Sequence, residues 1–353
     1  MMSATRDNIK VFARLTSRER QSKNMSAERV DSDRLRIGVF GGGSFGRQFV
    51  RVFDAHPETE LRGVTGVTPD AGPHRETEYA VVDRETLLTE CDAVAIGTQT
   101  EEHATDISDC LDAGTDVFVA PPFVTDPATG RELLTTATDR GCVVYTGHFD
   151  RHNPAITHLR RYLSSVVDEI VAIEVQRHSP PPAESVDDDI VMGSLVKDID
   201  ILDTLFEWSV DRVDATGTDE YGVATLQFKS DTVGTLKASR VSQQTVRRLT
   251  VTTPTVYIET DLLDQSLSVY RHNASAYVED DGKRQFQEQN TIEQPTITRQ
   301  EPLKTAVGEF VSTVRQRDAL TATAEDALRS IEIGVRLQNQ LAKPATTSEG
   351  GSV

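Results

Sequence analysis

A lysine followed by two aspartates is the part of this sequence that points most directly to chemistry. These residues are Lys197, Asp198 and Asp200, in the segment MGSLVKDID, and lysine is scarce in the chain, with none between Lys23 and Lys197. A lysine amine takes a proton from an alcohol only if burial lowers its pKa toward neutrality. Two nearby carboxylates favour the ammonium form, which binds a carboxylate or a phosphate instead. A plain salt bridge between Lys197 and Asp200 on one helix face is the third interpretation.

A glycine-rich turn between a strand and a helix indicates a dinucleotide site. The apolar run 35–40 predicts a buried strand, the turn 41–46 has the sequence GGGSFG, and apolar residues at helical spacing follow. Gly41 allows the tight turn, Gly43 lets the backbone approach a pyrophosphate, and Gly46 allows close helix–strand packing. The phosphate would lie at the helix N-terminus. The alternative is a glycine-rich turn without a ligand.

The position that distinguishes NAD from NADP carries a glycine. An acid about 20 residues beyond the glycine loop normally binds the ribose 2′-hydroxyl. Here the second strand ends in GVTGVTPD, with Gly66 in that position. A small residue leaves room for a 2′-phosphate, so the sequence favours NADP over NAD. Asp70 is a substitute acid from a shifted loop, and Arg62 and Arg75 are candidates to neutralise a phosphate.

Strands alternate with helices before residue 150, and the pattern changes after it. The first half predicts a parallel, doubly wound Rossmann sheet, whereas strands with alternating burial in the second half predict an open, mainly antiparallel sheet. The predicted fold class is therefore α/β throughout. The predicted divisions are a disordered leader (1–34), a dinucleotide-binding Rossmann domain (35–150), a substrate and oligomerisation α/β domain (151–342) and a disordered tail (343–353).

The charge of the chain excludes some partners. A net charge of −19 argues against nucleic acids and anionic membrane surfaces, because both are recognised by clustered lysine and arginine. Excess acid with few lysines is typical of a halophilic protein kept soluble in a salty cytoplasm. An ordinary acidic protein is the alternative.

The location is predicted from segments that the sequence lacks. It has no apolar run of about 18 residues, the length of a transmembrane helix, and no signal peptide. Cys91, Cys110 and Cys142 have no metal-binding spacing and are predicted to be buried, reduced thiols, so we expect a cytoplasmic protein. Residues 1–24 carry six basic residues and two acids. They are either a basic arm or an upstream extension, and we expect translation to start at Met25.

Several stretches between residues 35 and 340 resemble the Gfo/Idh/MocA oxidoreductases, the family of glucose–fructose oxidoreductase, inositol dehydrogenase and rhizopine catabolism. They are the glycine loop, AIGTQTEEHA, GTDVFVAPPF, GHFDRHNPA, KDIDILDTLF and EDALRSIEIG. GHFDRHNPAI and VRRLTVTTPTVYIETDLL look most like the branch that acts on nucleotide-linked sugars. The resemblance implies hydride transfer between nicotinamide and a sugar or sugar nucleotide, which lies on the second sheet. It also implies a homo-oligomer.

The resemblance also carries site residues onto this chain. The phosphate loop of the family corresponds to Gly41, Gly43, Ser44, Phe45 and Gly46. Its adenosine–nicotinamide wall corresponds to Thr98 and His103, although Gln99 replaces the family's proline. The substrate pocket corresponds to His148, Arg151 and Asn153, with Asp200 as a further candidate. For His148 and Asn153 the alternative is a capped helix start with a satisfied histidine.

Three positions where the family keeps polar catalytic groups carry other residues here. The family lysine of Glu-Lys-Pro, which reaches both nicotinamide and the reacting hydroxyl, corresponds to Pro121. In the family motif Asp-x-x-x-His-Asp-x-Asp, the first Asp corresponds to Gly193 and the His to Lys197. Proline and glycine cannot accept the proton, so Lys197 is the catalytic candidate.

Two classes of function follow from these substitutions. The first is a divergent NAD(P)-dependent oxidoreductase that uses Lys197 on a sugar or sugar nucleotide. The second is a non-catalytic relative that binds dinucleotide or sugar nucleotide as a sensor or partner subunit.

Overall fold

A computed structural model gives the structure of most of the chain. It describes residues 34–66, 79–164, 169–181, 189–206, 209–280, 283–317 and 322–341. The expected start at Met25, the predicted tail, Asp70 and Arg75 lie outside the described residues.

The first half forms a parallel sheet in the strand order β2-β1-β3-β4-β5. Its strands are β1 Leu35–Phe40, β2 Thr59–Thr65, β3 Ala93–Ile96, β4 Asp116–Val119 and β5 Val144–Thr146. The helices between them are α1 Ser44–Asp54, α2 Arg84–Glu90, α3 Thr100–Ala113 and α4 Pro127–Arg140. The predicted doubly wound sheet is confirmed. The strand order reverses between β1 and β3, where a crevice opens at the carboxyl ends of the strands.

The second half contains a larger sheet in the order β13-β12-β11-β10-β6-β9-β8-β7. Its strands are β6 Ala172–His178, β7 Val210–Gly217, β8 Tyr221–Phe228, β9 Val233–Ser239, β10 Val246–Thr252, β11 Val256–Asp261, β12 Ser266–Asp280 and β13 Lys283–Glu293. Only the β6–β9 pair is parallel, so the predicted mainly antiparallel sheet is confirmed. Along β8 every second residue is buried, as expected for a sheet covered on one face.

Helices and short helical turns complete the second half. They are a 3₁₀ turn Phe149–His152, α5 Pro154–Leu163, a π turn Val191–Leu195, α6 Val196–Leu205, α7 Pro302–Gln316 and α8 Ala322–Leu341. Helix α7 follows the second sheet in the chain but packs on the first. Its Phe310 ring lies 6.1 Å from that of Phe53 and 5.4 Å from that of Phe118. The last part of the chain therefore completes the core of the first sheet.

Other sequence expectations concern thiols and membranes. Cys91, Cys110 and Cys142 are buried and free, as predicted, and burial raises the pKa of Cys91 to about 12. Such a thiol stays protonated and unreactive at neutral pH. Within the described ranges, none of the helices has the length and apolarity needed to cross a membrane.

Candidate functional site

One cavity of about 710 Å³ brings together residues from both halves of the chain. Its lining includes residues 41–45 of the glycine loop, Thr98, His103 and Pro121 from the first half, and Gly193 and Lys197 from the second. The structure thus places the predicted dinucleotide loop, its predicted wall and the catalytic candidate around a single space.

The glycine loop is shaped by two positions that admit no side chain. Gly41 has a φ of +97°, and a Cβ there would lie 2.6 Å from the carbonyl oxygen of Gly97. A Cβ on Gly46 would lie 1.8 Å from the carbonyl oxygen of Gly41. Helix α1 therefore starts directly against the end of β1, which is the geometry that the two glycines were predicted to provide.

Gly43 differs from these two glycines, because the protein itself does not need a glycine there. A Cβ on Gly43 would meet only the carbonyl oxygen of Gly97, at 4.0 Å. Gly43 is also the N-cap of α1 and provides no side-chain cap. The open space and the uncapped N–H groups form a cradle that fits the pyrophosphate of a dinucleotide.

The end of β2 lies in the same cavity. Thr65 and Gly66 both line it, and Gly66 has a φ of +74°. Gly66, which the sequence analysis assigns to the ribose position, thus lies in the wall of the cavity. Arg62 forms an ion pair with Glu60 at 2.6 Å and is not one of the lining residues.

A buried histidine fixes the opposite wall. The ring nitrogens of His103 lie 2.9 Å from the carbonyl oxygen of Pro122 and 3.2 Å from that of Thr98. The Thr98 hydroxyl donates to Asp106 at 2.6 Å, and Arg84 donates to the other oxygen of the same carboxylate. Both partners are acceptors, so a neutral ring donates to one of them. From Nδ1 it ties the start of α3 to the loop after β4, and from Nε2 it bonds to the turn before α3.

Lys197 lies at the point where the two halves of the chain meet. It follows the π turn Val191–Leu195, which contains Gly193, and π turns are frequent at functional sites. Its Nζ lies 5.7 Å from the centre of the Phe45 ring, within the range of a cation–π contact. The Lys197 side chain of the second half therefore reaches the phosphate loop of the first.

The two aspartates that follow Lys197 each bind an arginine. Asp198 accepts a hydrogen bond from Arg177 Nε at 2.8 Å. Asp200 accepts from Arg151, with Nε at 3.2 Å and a second bond from Nη2. Both carboxylates are almost fully buried. A guanidinium partner for each acid is a feature that the sequence did not predict.

His148, Arg151 and Asp200 form a buried network beside the cavity and are not among its lining residues. His148 Nδ1 lies 3.5 Å from Asp200, and Arg151 links Asp200 to Asp326 of α8. Burial lowers the pKa of His148 to about 4, although the charge of Asp200 acts in the opposite direction. The imidazole is therefore neutral at neutral pH. Its Nε2 makes no hydrogen bond to the described part of the chain.

Asn153 caps helix α5. Its side-chain oxygen accepts a hydrogen bond from the backbone of Ala155 at 3.0 Å, and its amide donates to the carbonyl oxygen of Leu262 at 2.9 Å. The side chain is buried and lies outside the lining of the cavity. These contacts match the helix-cap alternative that the sequence left open.

Replacing Asn153 by alanine should lower the free energy of unfolding by about 1–2 kcal/mol, because the cap and the bond to Leu262 are both lost. Asn153→Ser is the matched control, since its hydroxyl keeps the cap and only the second bond is lost, and it should lose less. Urea denaturation measures both. Unchanged stability together with lost substrate binding in Asn153→Ala would instead assign Asn153 to the substrate pocket.

Sequence reasoning missed the three arginines that the second half contributes to the cavity, Arg177, Arg240 and Arg247. They come from β6, from the turn after β9 and from β10, and only the sheet brings them together. Arg177 and Arg247 are directly opposite each other in the β6–β10 pair. The period-two pattern of each strand could have shown which face each arginine occupies, but not which strands are neighbours.

The dinucleotide loop lies on a doubly wound sheet and shares a cavity with an open antiparallel sheet. This combination defines a two-part dinucleotide-binding oxidoreductase. The description "Oxidoreductase family, NAD-binding Rossmann fold" matches residues 35–148, and "Oxidoreductase family, C-terminal alpha/beta domain" matches residues 168–344. The chain belongs to the Gfo/Idh/MocA oxidoreductase family, as the resemblance predicted.

Two known enzymes are similar to this chain in sequence or in structure. UDP-N-acetylglucosamine 3-dehydrogenase from Acidithiobacillus ferrooxidans is 30% identical over 262 residues, which are 68% of this chain and 78% of the relative. Its solved structure gives a TM-score of 0.74 at 23% identity, covering 87% of this chain and 97% of that one. The structure of a 3-ketoreductase from Actinomadura kijaniata, in complex with TDP-benzene and NADP, gives a TM-score of 0.73 at 17% identity. It covers 87% of this chain and 98% of that one. The two structures show the same fold.

Proposed function

We propose that this protein is an oxidoreductase-family member that binds a nicotinamide dinucleotide and a sugar nucleotide together in the cavity, and is divergent at the catalytic positions. The observation that carries the proposal is the composition of the cavity wall. The first half contributes an uncapped helix N-terminus behind three glycines, whereas the second contributes Lys197 and arginines. The names of the similar dehydrogenase and ketoreductase support a sugar nucleotide as the second ligand.

Each part of the cavity has a separate task in this proposal. The N-terminus of α1 holds the pyrophosphate of the dinucleotide, and Thr98 and His103 form the wall beside it. A bound dinucleotide would supply the hydride acceptor or donor. Lys197, which reaches Phe45 of the phosphate loop, lies between the two ligands and binds an anionic or hydroxyl group of either one.

A specific observation favours a non-catalytic relative as the second candidate. Pro121 and Gly193 line the cavity at the positions where the resemblance expects a lysine and an aspartate, and neither can transfer a proton. Turnover would then be feeble or absent, and the protein would act as a sensor or partner subunit.

Spectrophotometry with sugar nucleotides tests the two candidates. A change in nicotinamide absorbance that depends on UDP-N-acetylglucosamine or a related sugar nucleotide supports the oxidoreductase. Binding of both ligands by calorimetry without any turnover supports the non-catalytic relative. Failure of sugar nucleotides to bind at all contradicts the oxidoreductase and leaves a non-catalytic relative that binds only the dinucleotide.

We expect the protein to bind NADP at least as tightly as NAD. Gly66 ends β2 at the ribose position and offers no carboxylate to the 2′-hydroxyl, whereas its small size leaves room for a 2′-phosphate. Titration of the purified protein with each dinucleotide measures the two affinities. Clearly tighter binding of NAD would contradict this expectation and would show that an acid such as Asp70 has taken the role.

The cytoplasmic location and the homo-oligomer inferred from the sequence stay predictions. Tyr257, Tyr270 and Ile292 lie next to one another on the outer face of the second sheet, and Tyr257 and Ile292 are exposed. This apolar group supports an oligomer contact there. A monomer in sedimentation velocity experiments would contradict it.

A further inference from the structure

We infer that the second half of the chain carries a receptor for a dianionic group of the substrate, and that the diphosphate of a nucleoside-diphosphate sugar is the chemistry that fits it. We call this receptor the cationic wall; it consists of Arg177, Lys197, Arg240 and Arg247. The inference rests on the proposed function and extends it, because it names the group that is recognised and the residues that recognise it.

The first argument is the contrast between this wall and the rest of the protein. The chain as a whole has a net charge of −19. The described lining residues from the second half are nonetheless four cations, two serines and a glycine, without a carboxylate: Arg177, Ser179, Gly193, Ser194, Lys197, Arg240 and Arg247. A locally positive wall in a strongly acidic protein concentrates anions at this point of its surface.

The second argument is the pairing of two arginines across the sheet. Arg177 of β6 and Arg247 of β10 are direct cross-strand partners and line the same cavity. Like charges placed directly opposite each other on a sheet are destabilising. Arg177 is neutralised by Asp150 at 2.7 Å and by Asp198 at 2.8 Å. The charges of these two acids also act on Arg247, but within the described residues neither acid lies within ion-pair distance of it.

Arg247 is held in place by backbone groups. Its Nη1 donates to the carbonyl oxygens of His178 at 2.6 Å and of Val246 at 2.8 Å. In the described ranges no carboxylate lies within ion-pair distance of it. Burial and then the charge of Arg177 lower the pKa of Arg247 to about 10, although the charges of Asp198 and Asp150 act in the opposite direction. An anionic ligand would remove this unfavourable arrangement, and a guanidinium fixed by its own backbone is preorganised to bind one.

The position of the cationic wall favours the substrate over the dinucleotide as the source of the anion. The pyrophosphate of the dinucleotide already has a receptor, the uncapped N-terminus of α1 in the first half. A neutral sugar needs no second cationic receptor, whereas a sugar carried on a diphosphate does. Lys197, at the Phe45 end of the wall, would then lie nearest to the sugar.

Calorimetric titration of the full chain with UDP, UDP-N-acetylglucosamine and NADP tests the inference in wild type and Arg247→Gln. We expect Arg247→Gln to lower the affinities for UDP and UDP-N-acetylglucosamine about 10- to 30-fold. The affinity for NADP should stay within about twofold of the wild-type value. Arg248→Gln is the matched control. Arg248 is the next residue of β10, pairs with Glu259 at 3.1 Å and does not line the cavity, so its replacement should leave all three affinities unchanged.

The outcomes separate failure of the inference from failure of the proposed function. If UDP-N-acetylglucosamine binds wild type and Arg247→Gln equally well, the receptor is refuted and the proposed function stands. If Arg247→Gln lowers the affinity for NADP but not that for UDP, the cationic wall binds the dinucleotide and the inference is overturned. If neither UDP compound binds wild type while NADP does, both proposals are refuted.

A second variant covers the case in which Arg247→Gln does not fold. Arg247→Lys keeps the positive charge but loses the planar fork that binds a phosphate with two hydrogen bonds. We expect the affinity for UDP to fall about 3- to 10-fold in Arg247→Lys, while the circular dichroism spectrum stays unchanged. Wild-type UDP affinity in a folded Arg247→Lys protein would argue against a specific guanidinium receptor and would overturn the inference.

Discussion

Replacement of Gly46 by alanine should abolish dinucleotide binding and destabilise the first half of the chain. The new Cβ would lie 1.8 Å from the carbonyl oxygen of Gly41, which is a backbone atom and cannot rotate away. Helix α1 would have to move off the end of β1, so we expect a loss of about 3 kcal/mol or more in the free energy of unfolding. NADP affinity should fall by more than about 100-fold, because the phosphate cradle is built on that contact.

Two further glycine-to-alanine variants act as controls for this prediction. A Cβ on Gly43 meets only one atom, at 4.0 Å, so Gly43→Ala should fold normally and lose NADP affinity alone. Gly308 lies inside α7, where a Cβ would be 3.9 Å from His56 and otherwise free. Gly308→Ala should therefore stabilise the protein by about 0.5–1 kcal/mol. Thermal unfolding and NADP titration measure all three variants, and wild-type NADP binding by Gly46→Ala would contradict the assignment of the loop.

Replacement of Lys197 by alanine should weaken binding of the sugar nucleotide by one to two powers of ten, about 1.4–3 kcal/mol. We expect Lys197 to be charged at neutral pH and to bind an anionic or polyhydroxyl group rather than to remove a proton. The resemblance assigns the other two catalytic positions of the family to Pro121 and Gly193, and neither side chain can carry a proton away. Lys197 lies in the cavity within 5.7 Å of the Phe45 ring, where a ligand at the phosphate loop is in reach.

Lys237 provides the matched control for Lys197. Its Nζ also lies close to an aromatic ring, 5.6 Å from the centre of Tyr221, but Lys237 does not line the cavity. Lys237→Ala should leave ligand affinity unchanged. The pH profile of wild-type turnover gives the opposing outcome. A robust rate that rises with pH through an apparent pKa of about 7–8 and disappears in Lys197→Ala would show that Lys197 acts as a base. It would contradict the ammonium interpretation.

The sequence alone predicted the elements whose signals are local. Strand β1 has the predicted bounds, and the glycines at positions 41 and 46 have the roles expected of them, because a left-handed φ and a close backbone approach each demand glycine at one position. The apolar pattern of the second strand starts at Leu61, whereas the pairing of β2 starts at Thr59, opposite Leu35 of β1. The residues of this early part of the strand carry little apolar pattern, so composition could not show where pairing begins.

The sequence by itself determined the α/β class, the dinucleotide loop, the glycine at the ribose position and the unusual lysine at position 197. Only the tertiary structure decided which partners these residues have. It paired Arg177 with Arg247, gave Asp198 and Asp200 their own arginines, and placed α7 on the first sheet. The physical reason is the range of each signal. Turn geometry and strand periodicity depend on neighbouring residues. Strand order, register and ion pairing depend on contacts between distant segments, which the spacing of residues along the sequence does not show.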